Sequence, residues 1–378
     1  MFKLEKMHKQ IQKSAKAFAA GEFEKEICQE MDHGSQFREN IRKKAGDTGF
    51  IGIQFPEAYS GGDLGAVEDA LIAKTFCRLD STAGCSLMFS TPGADFLVKS
   101  TSEELKKKYL PDLAAGIMVS AEAFTETYSD PGFSQIAATA EKSKSGWTIN
   151  GSKINVINGN KAGLYFVLCQ TDSNPGIFLV DSETEGITVD KKKETLGLRM
   201  IERADVTFTN CTVPEANLLS SLSSNGKELQ AYTAALQVQI AAMATGIAKG
   251  AYDRTMKYIK LREQFGKKLA EFQISRHKIA DMATRIELAY MMTLNAAHAI
   301  DTNSLTPAMG AMAKQCATEN AMMVTDEAVQ LLGGYGYSSE YEVERYYRDA
   351  KVLELLGGSK AHLKNTIADK EIGKINRK

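Results

Sequence analysis

The chain has 378 residues, of which 43% are hydrophobic and 25% are charged, and its formal net charge is −1. These values are typical of a globular protein with two or three packed units, and they argue against nucleic acid or an anionic membrane as the main partner. The six cysteines form no CxxC pair and the five histidines are dispersed, which predicts reduced thiols and no metal site. No apolar leader follows the first residues, and the most apolar segment, 240–247, is too short to cross a bilayer, so we expect a cytoplasmic protein.

Residues 1–115 are predicted to form a helical unit. One face of its first helix carries apolar residues at helical spacing, namely Ile11, Ala15, Phe18 and Ala19. A loop with a proline and two adjacent glycines follows. The apolar run over 66–76 then predicts a buried helix.

Residues 116–218 change in character to short runs that are rich in β-branched and aromatic residues. These runs lie at 136–140, 147–149, 164–168, 177–180 and 206–209. Turn signals such as Asn150-Gly151 separate them. Short strands at this spacing predict a small antiparallel sandwich or barrel.

Residues 219–378 contain a single proline, Pro307, and long stretches of helical periodicity. One face of a long helix is marked by the apolar residues Ile279, Met282, Ala283, Ile286, Ala289 and Tyr290. This pattern predicts a bundle of long antiparallel helices. The order of helical, β and helical regions is uncommon, and it predicts an α+β fold.

Two segments of the helical region are candidates for ligand binding. The first, 324–359, has a helical run, a glycine-rich break at 333–336, a part dense in Tyr, Arg and Glu, and a second glycine pair, Gly357-Gly358. Adjacent glycines let backbone N–H groups approach a ligand closely, because no Cβ stands in the way. A helix C-cap followed by a turn and another helix has the same pattern.

The second segment, 261–273, places Arg262, Phe265 and Gly266 together at the end of a helix. An arginine can hold a pyrophosphate with two hydrogen bonds, and a phenylalanine can cover an adenine face. The same residues also fit a helix end with a solvated arginine and a core phenylalanine.

The motifs REQFG, AEFQ, QLLGGYGY and VERYYRDAK, with NGSK at 150–153, resemble the acyl-CoA dehydrogenase family over nearly the whole chain. The resemblance implies an α+β fold with an N-terminal helical domain (1–115), a middle antiparallel β domain (116–218) and a C-terminal four-helix bundle (219–378). It also implies bound FAD, an acyl-CoA or acyl-carrier thioester as the substrate, and an electron-transfer flavoprotein as the redox partner. The expected assembly is a homotetramer in which FAD lies partly between subunits.

Several residues match family positions that contact FAD. Those that match the segments holding the ADP half are Arg262, Gln264, Phe265, Phe272 and Gln273. Those that match the family's Q-x-x-G-G segment, which a neighbouring subunit contributes, are Gln330, Gly333 and Gly334. Thr125 matches the threonine that hydrogen-bonds the flavin ring, and Ser359 matches the Thr or Ser after the C-terminal catalytic region.

Two segments depart from the family pattern. The family loop T-E-P-G-x-G-S-D, which touches the thioester and pantetheine, is TETYSDPGFS here, at 125–134, so the choice between CoA and an acyl-carrier protein stays open. The family's W-I-T, which packs against the flavin and bonds its N5, is Asn155-Val156-Ile157. Ile157 cannot hydrogen-bond N5, and Asn155 is a poor replacement for a stacking tryptophan.

The largest departure concerns the catalytic base. In the family, a carboxylate removes the α-proton while the β-hydrogen leaves as hydride to flavin N5, so the placement of the base is strict. The two base positions of the family align with Gly357, after RDAK, and with Leu236, where the adjacent family arginine is Gln237. Neither position holds a carboxylate, so the catalytic residue is unknown, and Glu126 is one candidate replacement.

With both positions empty, α,β-dehydrogenation is the default expectation and three alternatives stay open. One is formation of a carbanion by loss of CO2 or sulfinate from the acyl thioester, which needs no base. Another is a base-less subunit of a hetero-oligomer whose partner supplies the carboxylate. The third is a flavin-binding scaffold without turnover. The acyl chain and the physiological direction are also open.

Overall fold

The computed structural model describes residues 4–34, 36–128, 135–144, 146–223 and 226–373, so part of the predicted 125–134 loop lies outside the described residues. The chain begins with helices α1 (Lys6–Glu22), α2 (Lys25–Gly34), α3 (Glu39–Asp47), α4 (Ala66–Leu79), α5 (Ser81–Met88), α6 (Ala94–Lys99) and α7 (Glu103–Ala114). Ala15 and Ala19 of α1 are fully buried, and α4 is buried over most of its length, as the apolar pattern predicts.

The middle of the chain forms a mixed sheet. Its strands are β1 (Ser120–Ala123), β2 (Thr139–Ser143), β3 (Gly146–Ile157), β4 (Leu164–Gln170), β5 (Pro175–Asp181), β6 (Ile187–Val189), β7 (Arg203–Val213) and β8 (Leu218–Ser221). The order is β6-β7-β3-β2-β4-β5-β8, with β1 also paired to β4. Most pairs are antiparallel, but β1 and β2 both run parallel to β4. The prediction of an antiparallel unit is corrected for these two strands, because local alternation does not reveal which distant strands pair.

The prediction of a strand at 136–140 is wrong for its first three residues, because β2 begins only at Thr139. The backbone N–H groups of Ala137 and Ala138 donate to the carboxylate of Glu126, at 2.7 and 3.0 Å, and are therefore not available to a neighbouring strand. The short strands β1, β6 and β8 were not predicted by the pattern.

The C-terminal region contains helices α8 (Lys227–Ile259), α9 (Gln273–Asp301), α10 (Pro307–Leu332), α11 (Val343–Leu353) and α12 (Lys360–Ile372). A small hairpin of β9 (Glu263–Gln264) and β10 (Lys267–Lys268) connects α8 to α9. Pro307 occupies the first turn of α10, where its missing N–H costs nothing, and the Thr306 side chain caps that turn by accepting from Met309 N at 3.3 Å. In the described part of the chain, no helix combines the length and apolar character needed to cross a membrane.

Helices from both ends of the chain share one hydrophobic core. Gly246 lets α8 approach α4 closely, since a Cβ there would lie 2.5 Å from the Lys74 carbonyl oxygen. At the end of α9, the Asp301 carboxylate accepts hydrogen bonds from Ala66 N, at 2.6 Å, and Val67 N, at 3.1 Å, at the start of α4. The helical regions therefore pack as one body beside the sheet.

Buried carboxylates attach α11 to the first turn of α5. Asp80 caps α5 by accepting from Ala83 N at 2.8 Å, and it forms a fully buried ion pair with Arg345 of α11 at 2.6 Å. Asp349, one turn further along α11, accepts a hydrogen bond from Ser81 Oγ at 2.6 Å and one from Thr82. These contacts help to fix the loop after α11 relative to the loop after α5, and both loops line one cleft.

Candidate active-site cleft

A cleft of about 370 Å³ lies where the helices meet the sheet. Phe89 and Pro92 of the α5–α6 loop form one wall, and the sheet, α8 and the α11–α12 loop form the others. An adjoining cavity of about 340 Å³ shares Phe89, Pro92 and Leu236 with the cleft. The residues of the sequence analysis that line the cleft are Thr125, Asn155, Ile157, Leu236, Gly357 and Ser359.

The Gly357–Gly358 loop has left-handed backbone at both residues, with φ of 66° and 107°, which explains why glycine occupies both positions. Gln237 Nε2 donates to the Gly357 carbonyl at 2.9 Å, and the buried Lys314 donates to the Gly358 carbonyl at 2.6 Å. Burial lowers the pKa of Lys314 to about 8. No described residue accepts a hydrogen bond from Gly357 N–H, so this group is available to a ligand in the cleft.

The two positions aligned with the family's bases meet in the cleft. A Cβ added to Gly357 would lie 3.8 Å from Leu236 Cγ and 2.8 Å from Ile240 Cδ1. A carboxylate from either position would therefore reach the same space, and neither Gly357 nor Leu236 supplies one.

Glu122 is the one carboxylate among the described residues that line the cleft, and the sequence analysis missed it. It lies on β1, where its Oε2 accepts a hydrogen bond from the Tyr232 hydroxyl, and Gly93 N donates to the same hydroxyl at 3.1 Å. Burial raises the pKa of Glu122 to about 7, the hydrogen bond from Tyr232 opposes the rise, and the charge of Asp95 adds to it. A glutamate two residues before the buried Phe124, at the spacing that places both side chains on one face of an extended segment, is the sequence signal that could have found it.

Arg203 is the one cationic side chain among the described lining residues. It is 3% exposed, and its Nε and Nη2 have no hydrogen-bond partner in the described structure. It pairs with Ile157 across β7 and β3, so both side chains lie on one face of the sheet. Burial lowers the pKa of the Arg203 guanidinium, and Cys85 and Asp349 oppose that change. An unpartnered buried cation is costly, so an electron-rich group of a bound ligand is expected beside it.

Glu126, the candidate replacement base, has a structural role. It forms an ion pair with the fully buried Lys153 at 2.6 Å and accepts from two backbone N–H groups. Burial alone would raise the pKa of Glu126, but these hydrogen bonds outweigh burial and hold the pKa below its usual value. These contacts occupy the Glu126 carboxylate, and Glu126 is not among the described residues that line the cleft, so the structure does not support it as the replacement base.

Three predicted cofactor residues in the cleft, Thr125, Asn155 and Ser359, have local structural roles. Asn155 occupies a bulge of β3 with φ of 52°, and its N–H donates to Asp205 Oδ1 at 2.6 Å. The Thr125 carbonyl accepts from Ile154 N at 2.8 Å, which fixes the residue against β3. Ser359 caps α12 by accepting from His362 N at 3.3 Å.

The remaining predicted cofactor residues lie on an outer surface and not in the described lining of the cleft. We call it the hairpin surface, and its exposed members are Arg262, Gln264, Phe265, Gln273, Gln330, Gly333 and Gly334. Phe272 is half-buried beside them. The Arg262 guanidinium lies 5.6 Å from the Tyr335 ring centroid, so the β9–β10 hairpin and the 333–337 turn are neighbours. Phe265 is 93% exposed.

Helices, a mixed sheet and further helices thus meet around one shared cleft. Family models for the acyl-CoA dehydrogenase N-terminal, middle and C-terminal domains match residues 5–117, 121–211 and 234–372. The chain belongs to the acyl-CoA dehydrogenase family, and its fold is the fold of that family.

Individual relatives match along most of their length. An acyl-CoA dehydrogenase of Bacillus subtilis (strain 168) is 36% identical over 341 residues, which are 87% of this chain and 88% of the relative. The acryloyl-CoA reductase (NADH) of Anaerotignum propionicum is 32% identical over 97% of this chain and 95% of its own. A solved chain described as "Electron transferring flavoprotein of Acidaminococcus fermentans" is 31% identical with a TM-score of 0.94, covering 99% of this chain and 100% of that chain.

FAD is the cofactor of this family, and the residues present fit it. Arg203 presents two unpartnered buried nitrogens whose N–H groups can donate hydrogen bonds to an oxygen or nitrogen of the flavin ring. At Gly333 and Gly334, an added Cβ would meet no atom within 4 Å, so the backbone of the turn is open to a ligand. Arg262 and the exposed Phe265 are a cation and an aromatic side chain, the residue types that can bind a pyrophosphate and an adenine.

Proposed function

We propose that the enzyme interconverts saturated and α,β-unsaturated acyl thioesters, with dehydrogenation as the forward reaction and an electron-transfer flavoprotein as its redox partner. The observation that carries the proposal is the cleft, in which a free backbone N–H, a carboxylate and an unpartnered cation converge between apolar walls. FAD, when bound, supplies the hydride acceptor.

The chain's own residues prepare the thioester for reaction. Gly357 N–H polarises the thioester carbonyl, and a preorganised donor of this kind contributes about 3–4 kcal/mol where one has been removed by mutation. Phe89, Leu236 and Ile240 provide an apolar wall that excludes water, which strengthens that hydrogen bond.

The relatives support both the substrate class and the partner. One relative carries the name of an acryloyl-CoA reductase, which acts on an α,β-unsaturated thioester, and a solved relative is described as an electron-transferring flavoprotein. A thioester oxidoreductase that exchanges electrons with a second flavoprotein accounts for both descriptions. All six cysteine thiols are free, which supports a reducing, cytoplasm-like compartment.

The second candidate function is loss of an anionic group from the acyl chain. Arg203 favours it, because an unpartnered buried guanidinium in the cleft would bind a carboxylate or sulfinate on the substrate. Loss of CO2 or sulfinate leaves the carbanion without a proton transfer, so this reaction needs no base.

One experiment separates these functions. The purified protein is incubated anaerobically with saturated acyl-CoAs, with and without a terminal carboxylate, while flavin absorbance and products are followed. Bleaching by monocarboxylic acyl-CoAs supports dehydrogenation, and product from a dicarboxylic acyl-CoA without net bleaching supports loss of the anionic group. Activity only after addition of a co-purified homologue would indicate a hetero-oligomer. A protein that holds FAD but reacts with none of the thioesters contradicts both enzymatic proposals and leaves a scaffold role.

The hairpin surface fits a contact between subunits. It carries the residues matched to the ADP half of FAD, but none of them is among the described residues that line this chain's cleft. We place it against the cleft of a second copy, so that each FAD touches two chains of a homotetramer. The domain limits near residues 115 and 218 stay a prediction, and the second limit would cut β8, which pairs with β5.

A further inference from the structure

We propose that Glu122 is the general base of this enzyme and takes the α-proton of the acyl thioester. The inference rests on the proposed function and supplies the proton acceptor that Gly357 and Leu236 lack.

The position of Glu122 is the first reason. It is the sole carboxylate among the described residues that line the cleft, and it shares this cleft with Gly357 and Leu236. The residue is partly exposed although its neighbours Ala121 and Ala123 are fully buried, so its side chain reaches the open space of the cleft. It projects from β1, which pairs with β4 through Glu122 and Phe166, and a paired strand holds a side chain more firmly than a loop does.

The hydrogen bonds of Glu122 are the second reason. The Tyr232 hydroxyl donates to Oε2, and Gly93 N–H donates to that hydroxyl at 3.1 Å. These two hydrogen bonds fix the orientation of the carboxylate. Oε1 has no partner in the described structure and is free to accept a proton. A buried glutamate whose only role is structural would have both oxygens satisfied, as Glu126 has.

The proposed step balances without a further reagent. The α C–H bond breaks and its proton bonds to Glu122 Oε1. The electron pair of that bond would become the new α,β double bond as the β C–H bond breaks, and FAD, when bound, would accept the β-hydrogen as hydride. The thioester thus loses two electrons and two hydrogens, FAD gains two electrons and one hydrogen, and the carboxylate holds the remaining proton until solvent takes it.

Charged groups around Glu122 predict the pH profile. Tyr232 faces it from α8, Asp95 from α6 with Asp69 and Lys99 nearby, and Arg203 lines the same cleft from β7. The pKa of Glu122 lies at about 7, so the base is protonated below that pH and the rate should rise as pH increases through it. Tyr232→Phe removes a hydrogen bond that lowers the pKa and should move the profile to higher pH. Asp95→Asn removes a charge that raises the pKa and should move the profile to lower pH.

The decisive experiment isolates proton transfer from hydride transfer. An alkoxyacetyl-CoA has oxygen in place of the β-carbon, so it has no hydride to give, and exchange of its α-hydrogens in D2O reports proton abstraction alone. Mass spectrometry of this exchange is compared for wild type and Glu122→Gln, both as FAD-loaded enzyme. We expect the variant to lose about 10²–10⁴-fold in exchange rate, the usual contribution of general-base catalysis. The matched control is Glu103→Gln. It removes a carboxylate that accepts a hydrogen bond from the Tyr59 hydroxyl at 2.5 Å outside the cleft, so it should leave the rate unchanged.

A second variant keeps the proposal falsifiable if Glu122→Gln folds poorly. Leu236→Glu in the Glu122→Gln background should restore exchange, because Leu236 faces the same cleft from a helix. If the wild type exchanges α-hydrogens and Glu122→Gln does so at the same rate, the inference is overturned and the proposed function still stands. A wild-type enzyme that neither exchanges α-hydrogens nor bleaches with any acyl-CoA overturns the proposed function, and the inference with it.

Discussion

Phe265 illustrates how the conformation of a single residue marks a binding surface. With Gly266 it forms the two-residue tip of the β9–β10 hairpin, and both have left-handed backbone, with φ of 54° and 74°. A bulky residue in that conformation costs about 1–2 kcal/mol, and asparagine or glycine is preferred at such tips. Because the ring is 93% exposed, burial in its own chain does not offset this cost. A ligand or partner that covers the ring would.

Arg262, three residues earlier, should be needed for FAD binding. We expect Arg262→Ala to weaken FAD affinity by about tenfold or more, since losing a charge-assisted hydrogen bond to the pyrophosphate costs about 1.5–3 kcal/mol. Gln330→Ala, on α10, should weaken the same affinity. Flavin absorbance after extensive dialysis measures both effects, and Lys267→Ala in the same hairpin is the control. Full retention of flavin by Arg262→Ala would show that the family role of this arginine does not apply.

Replacing Arg203 with an apolar residue should stabilise the FAD-free protein, whereas replacing a buried charge that has a partner destabilises a protein. Because its Nε and Nη2 have no partner in the described structure, Arg203→Met should stabilise the FAD-free protein by about 1–3 kcal/mol. It should also reduce the stabilisation that added FAD gives. Thermal unfolding with and without FAD measures both quantities.

Lys153→Met is the control for Arg203, since both cations are fully buried. It leaves Glu126 without its ion-pair partner and should destabilise the protein by about 3–5 kcal/mol. If Arg203→Met destabilises the FAD-free protein as much as Lys153→Met does, Arg203 has a partner that its contacts do not reveal.

At the scale of elements, the α5–α11 attachment should hold the cleft together. Arg345→Ala leaves Asp80 as a buried unpaired carboxylate and should destabilise the fold by about 3–5 kcal/mol. Because α11 leads into the Gly357 loop, the affinity for acyl-CoA should fall as well. Chemical denaturation and thioester titration measure these effects. Arg38→Ala, which breaks an exposed ion pair with Glu30, should change the free energy of unfolding by less than about 1 kcal/mol. Equal losses in the two variants would refute the role given to the buried pair.

The Gly357 loop also limits how a carboxylate can be returned to the cleft. Gly357→Glu adds a side chain at φ of 66° and places its Cβ 2.8 Å from Ile240 Cδ1, so it should cost about 1–2 kcal/mol of stability before any catalytic gain. Adding Ile240→Val should relieve the contact but not the backbone strain. In the Glu122→Gln background we expect the double variant Gly357→Glu/Ile240→Val to raise α-hydrogen exchange measurably. No gain from this variant, if it is folded and FAD-loaded, would mean that the space beside Gly357 does not face the α-carbon.

The elements show which parts of the structure local sequence encodes. Helical periodicity predicts α1, α4 and α9, because an amphipathic or buried helix repeats its pattern over several turns. The parallel pairing of β1 and β2 with β4 is not predictable in this way, since strand direction depends on pairing between distant residues. Three positions found by comparison with the family motifs, Thr125, Asn155 and Ile157, line the cleft, and their contact with FAD stays a prediction. The motifs miss Glu122 and Arg203, because both occupy positions that no motif marks.

At the scale of the whole molecule, the helical core joins the two ends of the chain. Helices α1 and α4 pack in the same cluster as α8, α9 and α10, whereas two further clusters cover the two faces of the sheet. The N-terminal helical region, the sheet and the C-terminal helices all contribute residues to the lining of the cleft, so its width depends on how the sheet meets the helices. A ligand that contacts the N-terminal helices, the sheet and the C-terminal helices should therefore stabilise the whole chain and not one part of it.

Exposed apolar side chains on the long helices predict an assembly of several copies. The long helices leave large apolar side chains exposed, with Ile274, Leu288 and Met291 of α9 at 64%, 53% and 44% and Met323 of α10 at 48%. A further groove of about 360 Å³ between α9 and α10 is lined largely by methionines. Since monomeric proteins rarely expose such patches, we expect four copies to bury them as a dimer of dimers. Light scattering should give a mass near four times 41.3 kDa.

Charged substitutions on α9 test whether this face forms the interface. Leu288→Lys with Met291→Lys should lower the measured mass, because burying unpaired charges at an interface is costly. The control is Ile117→Lys. Ile117 is 62% exposed but lies on the loop after α7, so this variant should keep the wild-type mass. FAD should dissociate more readily from the α9 variant, since the hairpin surface of one copy would no longer reach the cleft of another. A monomer that retains FAD as tightly as the wild type does would contradict the placement of that surface between subunits.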